Sequence, residues 1–182
     1  GGIGLVTFWT PAKGGRKTTT EAATPRAYSA IPVWIGMASL LIYFGGLSAV
    51  WAFVERIADG NGIDAITIGQ ALSFGVIGGG VGAFIAAISG DRFGRVRPLF
   101  FSALIIAAAL WIYNGSFSGI TFAIVTFLFS GAWNYSLAYQ LGIVASVDAS
   151  GRYVVLMSAA LASGAVLGPA VAGFLINDGG FE

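Results

Sequence analysis

Five apolar runs, at 31–57, 66–89, 98–117, 118–147 and 152–176, alternate with short polar breaks along this 182-residue chain. Each approaches or exceeds the ~20 residues that a helix needs to cross a hydrocarbon core of ~30 Å, so the pattern predicts five membrane-spanning helices. The break between the third and fourth runs is Asn114-Gly115-Ser116-Phe117-Ser118-Gly119, a turn whose edges can shift by a few residues without changing the count. Ahead of the first run, residues 10–30 carry Pro11, Gly14, Gly15, three consecutive threonines and Pro25 without periodicity, and read as a polar linker. Residues 1–9 are apolar with no basic leader, and read as the end of a truncated transmembrane helix.

The polar residues inside the runs are few and grouped. In the first span Ser39, Tyr43, Leu47, Trp51 and Glu55 recur every four positions and share one helix face. Such a face suits protein or a wet cavity better than lipid. Trp51 and Glu55 equally suit the outer interface, where aromatics anchor and charges reach water, and Tyr43 equally suits plain packing. The fourth span holds Trp133, Asn134, Tyr135, Ser136, Tyr139 and Gln140. At about 100° per residue, all but Asn134 fall within an arc of roughly 160°. Unsatisfied polar groups in hydrocarbon are costly, so this face must meet protein or water; ligand lining and interhelical hydrogen bonding both answer that need. Asn134, outside the arc, is expected to hydrogen-bond a neighbouring helix.

Glycine marks two other spans. Gly75 with Gly79, and Gly78 with Gly82, are spaced for close helix contact. A nucleotide-binding loop is excluded, because no strand precedes the run, the spacing fails and the segment lies inside a membrane span. The fifth span repeats the small-residue spacing at Gly164, Gly168 and Gly173, with Pro169 expected to bend it.

Composition narrows the class. With 57% hydrophobic and 9% charged residues and a mean hydropathy of +0.85, the chain is far from a soluble domain, in which about a quarter of residues are charged. It contains no Cys and no His, which removes disulfides, thiolate and imidazole metal sites and histidine-dependent chemistry; no metal, no cofactor and no nucleic-acid partner is expected. Where the charges sit matters more than their sum of +1. With the linker on the cytoplasmic side, alternation of the spans places Lys13, Arg16, Lys17, Arg26, Arg92, Arg95, Arg97 and Arg152 inside and Arg56 alone outside, as the positive-inside rule requires.

The most specific motif is Gly90-Asp91-Arg92-Phe93-Gly94-Arg95-Val96-Arg97-Pro98, a charged turn between the second and third spans. Its Asp-Arg-x-Gly-Arg order resembles the signature loop of the major facilitator superfamily, which joins the second and third helices of each six-helix half. It departs from that pattern at Ala87, where the family usually has Gly. The resemblance implies an all-α membrane protein with an MFS-type helical bundle: the C-terminal six-helix half, lacking most of the sixth and the twelfth helix. Residues 1–9 would end the sixth helix, 10–30 would be the cytoplasmic central linker, and 31–182 would form the C-terminal transmembrane bundle.

By the same resemblance the chain is a secondary active transporter, a symporter or antiporter that moves a small-molecule solute by alternating access with ion or proton coupling. It would sit among membrane lipid in the bacterial inner (plasma) membrane, working with the N-terminal half of the same protein. The seventh and tenth helices of that fold line its cavity, which nominates Tyr43, Trp133, Tyr135, Tyr139 and Gln140 for substrate. Glu55, the one acidic side chain on a span face, is the candidate for proton coupling. Gly90, Asp91, Arg92, Gly94 and Arg95 form the gating loop, with Asp91 pairing to Arg92, to Arg95 or to a helix N-terminus. The Gly164 to Gly173 run resembles the glycine-proline pattern of the eleventh helix. Two alternatives stand beside this reading. One is a small membrane protein that homo-oligomerises into a transporter or channel. The other is a membrane-embedded enzyme or sensor, for which the spans supply no paired aspartates and no nucleophile with its base.

Overall fold

The computed structural model describes residues 31–148 and 152–178; the apolar segment 1–9 and the linker 10–30 lie outside the described residues. Five helices run through it: α1 (Ile31–Gly60), α2 (Ala65–Ser89), α3 (Val96–Tyr113), α4 (Gly119–Val147) and α5 (Arg152–Asp178). All are long and apolar enough to cross a membrane. Even α3, with 18 residues, spans roughly 27 Å at 1.5 Å per residue.

The helix starts follow from local chemistry. Asp64 caps α2 by accepting from the Thr67 N–H at 3.0 Å and from its hydroxyl at 2.6 Å, and these bonds hold its carboxyl below the usual carboxylate range. Ser118 caps α4 through the Thr121 N–H at 3.3 Å. Asp148 takes the Tyr153 and Val154 N–H groups at 2.8 and 3.0 Å and so seats the first turn of α5. The third helix stops at Tyr113, short of the apolar run's end at 117. Phe117 does not extend the helix; it turns inward and stacks on Phe122 with ring centroids 5.8 Å apart. Asn61 joins this turn to the one between α1 and α2. Its amide donates to the Ile57 carbonyl at 3.0 Å while its oxygen accepts from the Phe117 N–H at 3.2 Å.

Two close crossings organise the bundle, α2 on α4 and α1 on α5, with α3 laid against α4. Both crossings are made by glycine. A Cβ on Gly82 would stand 2.0 Å from the Gly131 carbonyl oxygen, and one on Gly78 would stand 2.3 Å from that of Phe127. On the other side, a Cβ on Gly168 would stand 2.0 Å from the Gly45 carbonyl oxygen, and one on Gly164 would stand 2.8 Å from that of Leu41. Gly79 gives its space to the side chains of Ser130 and Asn134, and Gly75 to Thr126. Gly80 meets nothing, and Gly173 meets only the Phe53 ring. The bend expected at Pro169 falls inside α5, which continues through it.

The two crossings are copies. Gly45 and Gly131, Gly78 and Gly164, Gly82 and Gly168 are each separated by the same 86 positions. Thus α1 corresponds to α4 and α2 to α5, and each unit's second helix packs on the other unit's first. Because three spans separate equivalents, the two units run through the membrane in opposite senses.

The core falls into two clusters. One, around Val54, Phe122 and Phe129, lies toward the α1–α2 and α3–α4 turns. The other, around Met37, Leu40, Val144 and Met157, lies toward the opposite end. Large apolar side chains such as Trp111, Ile120, Phe174 and Leu175 point outward, as they should in a protein whose solvent is hydrocarbon.

Candidate functional site

Between α1, α3 and α4 lies a cavity of about 290 Å³ that receives Ser39 and Tyr43 from α1, Ser102 from α3, and Ser136 and Gln140 from α4. Its walls are otherwise apolar, with Leu40, Leu99, Ile143 and Val144 among them. The Tyr43 and Ser136 hydroxyls hydrogen-bond each other across it. Ser136 also donates to the Trp133 carbonyl at 2.9 Å. A serine has one hydroxyl proton, so Tyr43 is the donor of the pair and its own lone pairs are left for another group. Ser102 donates to the Leu99 carbonyl at 2.9 Å. The half-buried Gln140 amide makes no hydrogen bond among the described residues. The Gln140 amide therefore leaves two donors and an acceptor open to whatever fills the space, beside the Ser39 hydroxyl and the lone pairs of Tyr43 and Ser102.

The five nominated substrate residues do not converge. Tyr43 and Gln140 share the cavity. Trp133 belongs to an aromatic layer with Phe44, Trp51 and Phe129, at centroid distances of 5.3, 6.4 and 6.0 Å, and its indole N–H is buried without a partner among the described residues. Tyr135 lines a separate groove between α2, α3 and α4. Tyr139 donates its hydroxyl to the Gly90 carbonyl at 3.0 Å, which places it at the loop. Sequence reasoning missed Ser102, whose one signal was being a lone serine in an otherwise apolar stretch. Asn134 departs from expectation too: its amide donates to the Ser130 carbonyl of its own helix at 3.0 Å, while its side chain packs beside Gly79 of α2. Glu55 is exposed near the far end of α1. Twelve residues separate it from Tyr43, roughly 18 Å along the helix axis, so the structure does not bring it to the cavity.

The loop at 90–95 is a tight charged turn made possible by Gly90 and Gly94 at φ 48° and 68°. Of the partners expected for Asp91, it takes Arg95, at 3.6 Å. Arg95 reaches on to the Ser146 hydroxyl on α4 at 2.6 Å. With the Tyr139 bond, two contacts thus fasten the turn to the last turns of α4. Arg92 is exposed.

The bundle thus combines apolar outward faces, a largely apolar cavity edged by hydroxyls and one amide, and a charged turn fastened to α4. The Major Facilitator Superfamily model matches residues 36–182, and the chain belongs to that superfamily: it is an integral membrane protein and a transporter. No curated protein and no solved structure matches it.

Proposed function

We propose that the protein is a secondary active permease that moves a small polar solute by alternating access, driven by an ion or proton gradient. In this reading the solute lies in the α1–α3–α4 cavity, and Gln140 and Tyr43 supply its hydrogen bonds. The linker and the 90–95 loop face the cytoplasm of a cell whose inner (plasma) membrane holds the protein, in keeping with eight of nine basic residues falling on that side. The single observation that supports it most is the Gln140 amide, which makes no hydrogen bond among the described residues of a bundle where such a group is costly. The loop is the gate. Its bonds to α4, from Arg95 and Tyr139, stabilise one state and must break or travel together in the other. Glu55 keeps only its charge as an argument for proton coupling, since it is remote from the cavity.

The test uses full-length protein in proteoliposomes, screened for movement of labelled sugars, organic acids, drugs and osmolytes with and without a proton gradient. For any solute that moves, Gln140→Ala should weaken its binding on the order of fivefold to tenfold, as one or two lost hydrogen bonds would. Yield and melting temperature should stay near wild type, because water can fill the gap. A variant that destabilises the bundle and leaves solute affinity unchanged would make Gln140 a structural residue and remove the cavity from the reading.

A further inference from the structure

The groove that holds Tyr135 is apolar, about 310 Å³ in volume, and open along the side of the bundle. Val81 and Ile85 of α2, Phe101 and Ile105 of α3 and Leu128 of α4 line it, all exposed among the described residues. It runs from mid-span, at Gly78, Ile105 and Leu128, toward the 90–95 loop: Ile85 is four residues from the end of α2 and Phe101 five from the start of α3. The next residues along α2 and α4 line a second cavity, of about 190 Å³, with Ala86, Gly90, Asp91, Arg95, Tyr139 and Gly142 in its walls. The Tyr135 and Tyr139 rings, 5.1 Å apart, stand between the two spaces.

Charge is distributed along the same line. Arg92 and Arg97 are exposed and form no ion pair among the described residues. Arg97 stands one turn before the groove's Phe101 on the same face of α3. Arg95 is shared between Asp91 and Ser146. Three arginines against one aspartate leave the turn with a positive excess at the level where lipid headgroups lie.

We propose that the groove and the arginine turn form one binding site for an anionic membrane phospholipid, with an acyl chain along α2, α3 and α4 and the phosphate at Arg92 and Arg97. A soluble anion would have no use for the apolar groove, and a neutral lipid none for unpaired arginines. Basic pockets between helices at the membrane surface hold phospholipid headgroups by this combination. The site is distinct from the solute cavity, sharing with it only Ser102, and it stands whether or not that cavity binds solute.

The experiment is native mass spectrometry of the full-length protein in detergent, titrated with phosphatidylglycerol or with phosphatidylcholine of the same chains. Phosphatidylglycerol should be retained roughly thirtyfold more, as two surface arginines imply. The Arg92→Gln/Arg97→Gln pair should abolish that preference, and Arg56→Gln should preserve it. Ile105→Trp, which fills the groove at constant charge, should also lower retention; Leu128→Phe serves the same purpose if the first variant yields no folded protein. Glycerol phosphate alone should bind undetectably. Three results would each overturn the site: equal retention of the two lipids, an anionic preference that survives loss of both arginines, or retention unaffected by filling the groove. Binding of glycerol phosphate as tight as that of the lipid would show a soluble-anion site instead.

Discussion

The crossings of α2 on α4 and of α1 on α5 use the same glycines, 86 positions apart, yet they are held differently. Gly75, Gly78, Gly79 and Gly82 of α2 are all buried against α4, and Thr126, Ser130 and Asn134 crowd the seam with polar groups. Among the described side chains of α5 only Met157, Ala160 and Gly164 are buried, and the apolar side chains around Gly168 face outward. The position that is Ala83 in α2 is Pro169 in α5, which removes one backbone hydrogen bond from the second helix and none from the first. One crossing is a sealed joint between two deep helices. Its twin, among the described residues, fastens α5 chiefly to α1.

That difference predicts unequal damage. Gly82→Leu should yield no folded protein by size-exclusion chromatography, because the side chain meets backbone on a helix held along its length. Gly168→Leu should fold with a lowered melting temperature, since α5 can tilt toward lipid to make room; equal loss from both would erase the distinction. Next in size, Ala83→Pro should cost about 3 kcal/mol, whereas the matching Pro169→Ala should leave stability unchanged or raised. Denaturant titration in detergent reads both, and a stable Ala83→Pro protein would show that α2 is as pliable as its twin. A third pair compares side chains at the seams. Asn134→Ala should cost ~0.6 to ~1.7 kcal/mol, while Ser48→Ala, 86 positions earlier on α1, should cost less, because Ser48 makes no hydrogen bond among the described residues.

The smallest effect concerns how α2 is started. Asp64 has a folded pKa below its usual value, through the Thr67 hydroxyl first and the Thr67 N–H second. The stabilisation is therefore complete above the usual carboxylate pKa and is lost as pH falls through the lowered one. Asp64→Asn keeps a cap but should flatten this acid limb of a melting-temperature profile. An unchanged limb would assign the acid sensitivity elsewhere.

Hydrophobic run length was enough to place five helices, because an apolar stretch of twenty residues has few other fates. Glycine spacing was equally legible: residues four apart mark a helix face, and Gly78 with Gly82 can make only close contact there. The fourth span's polar residues were harder. Periodicity put Trp133, Tyr135, Ser136, Tyr139 and Gln140 on one broad face, but α4 is wrapped by several neighbours, so that one face meets α1, α3, the groove and the loop in turn. Which neighbour a face meets is a tertiary property that no local pattern carries. The same limit hid Ser102, which matters only because α3 brings it opposite Tyr43. Phe117 looked like more of the third span because an apolar residue reads alike whether it faces lipid or folds back onto Phe122.

The exchange of partners between units also sets a timetable for biogenesis. The ribosome completes α1 with its Gly45 notch empty, and the glycines that fill it, Gly164 and Gly168, are encoded about 120 codons later. At roughly 5–20 residues per second that is an interval on the order of ten seconds. The α2 glycines wait less than half as many codons for Gly131. The α2–α4 joint can therefore form before the α1–α5 joint, which α5 completes on helices already made.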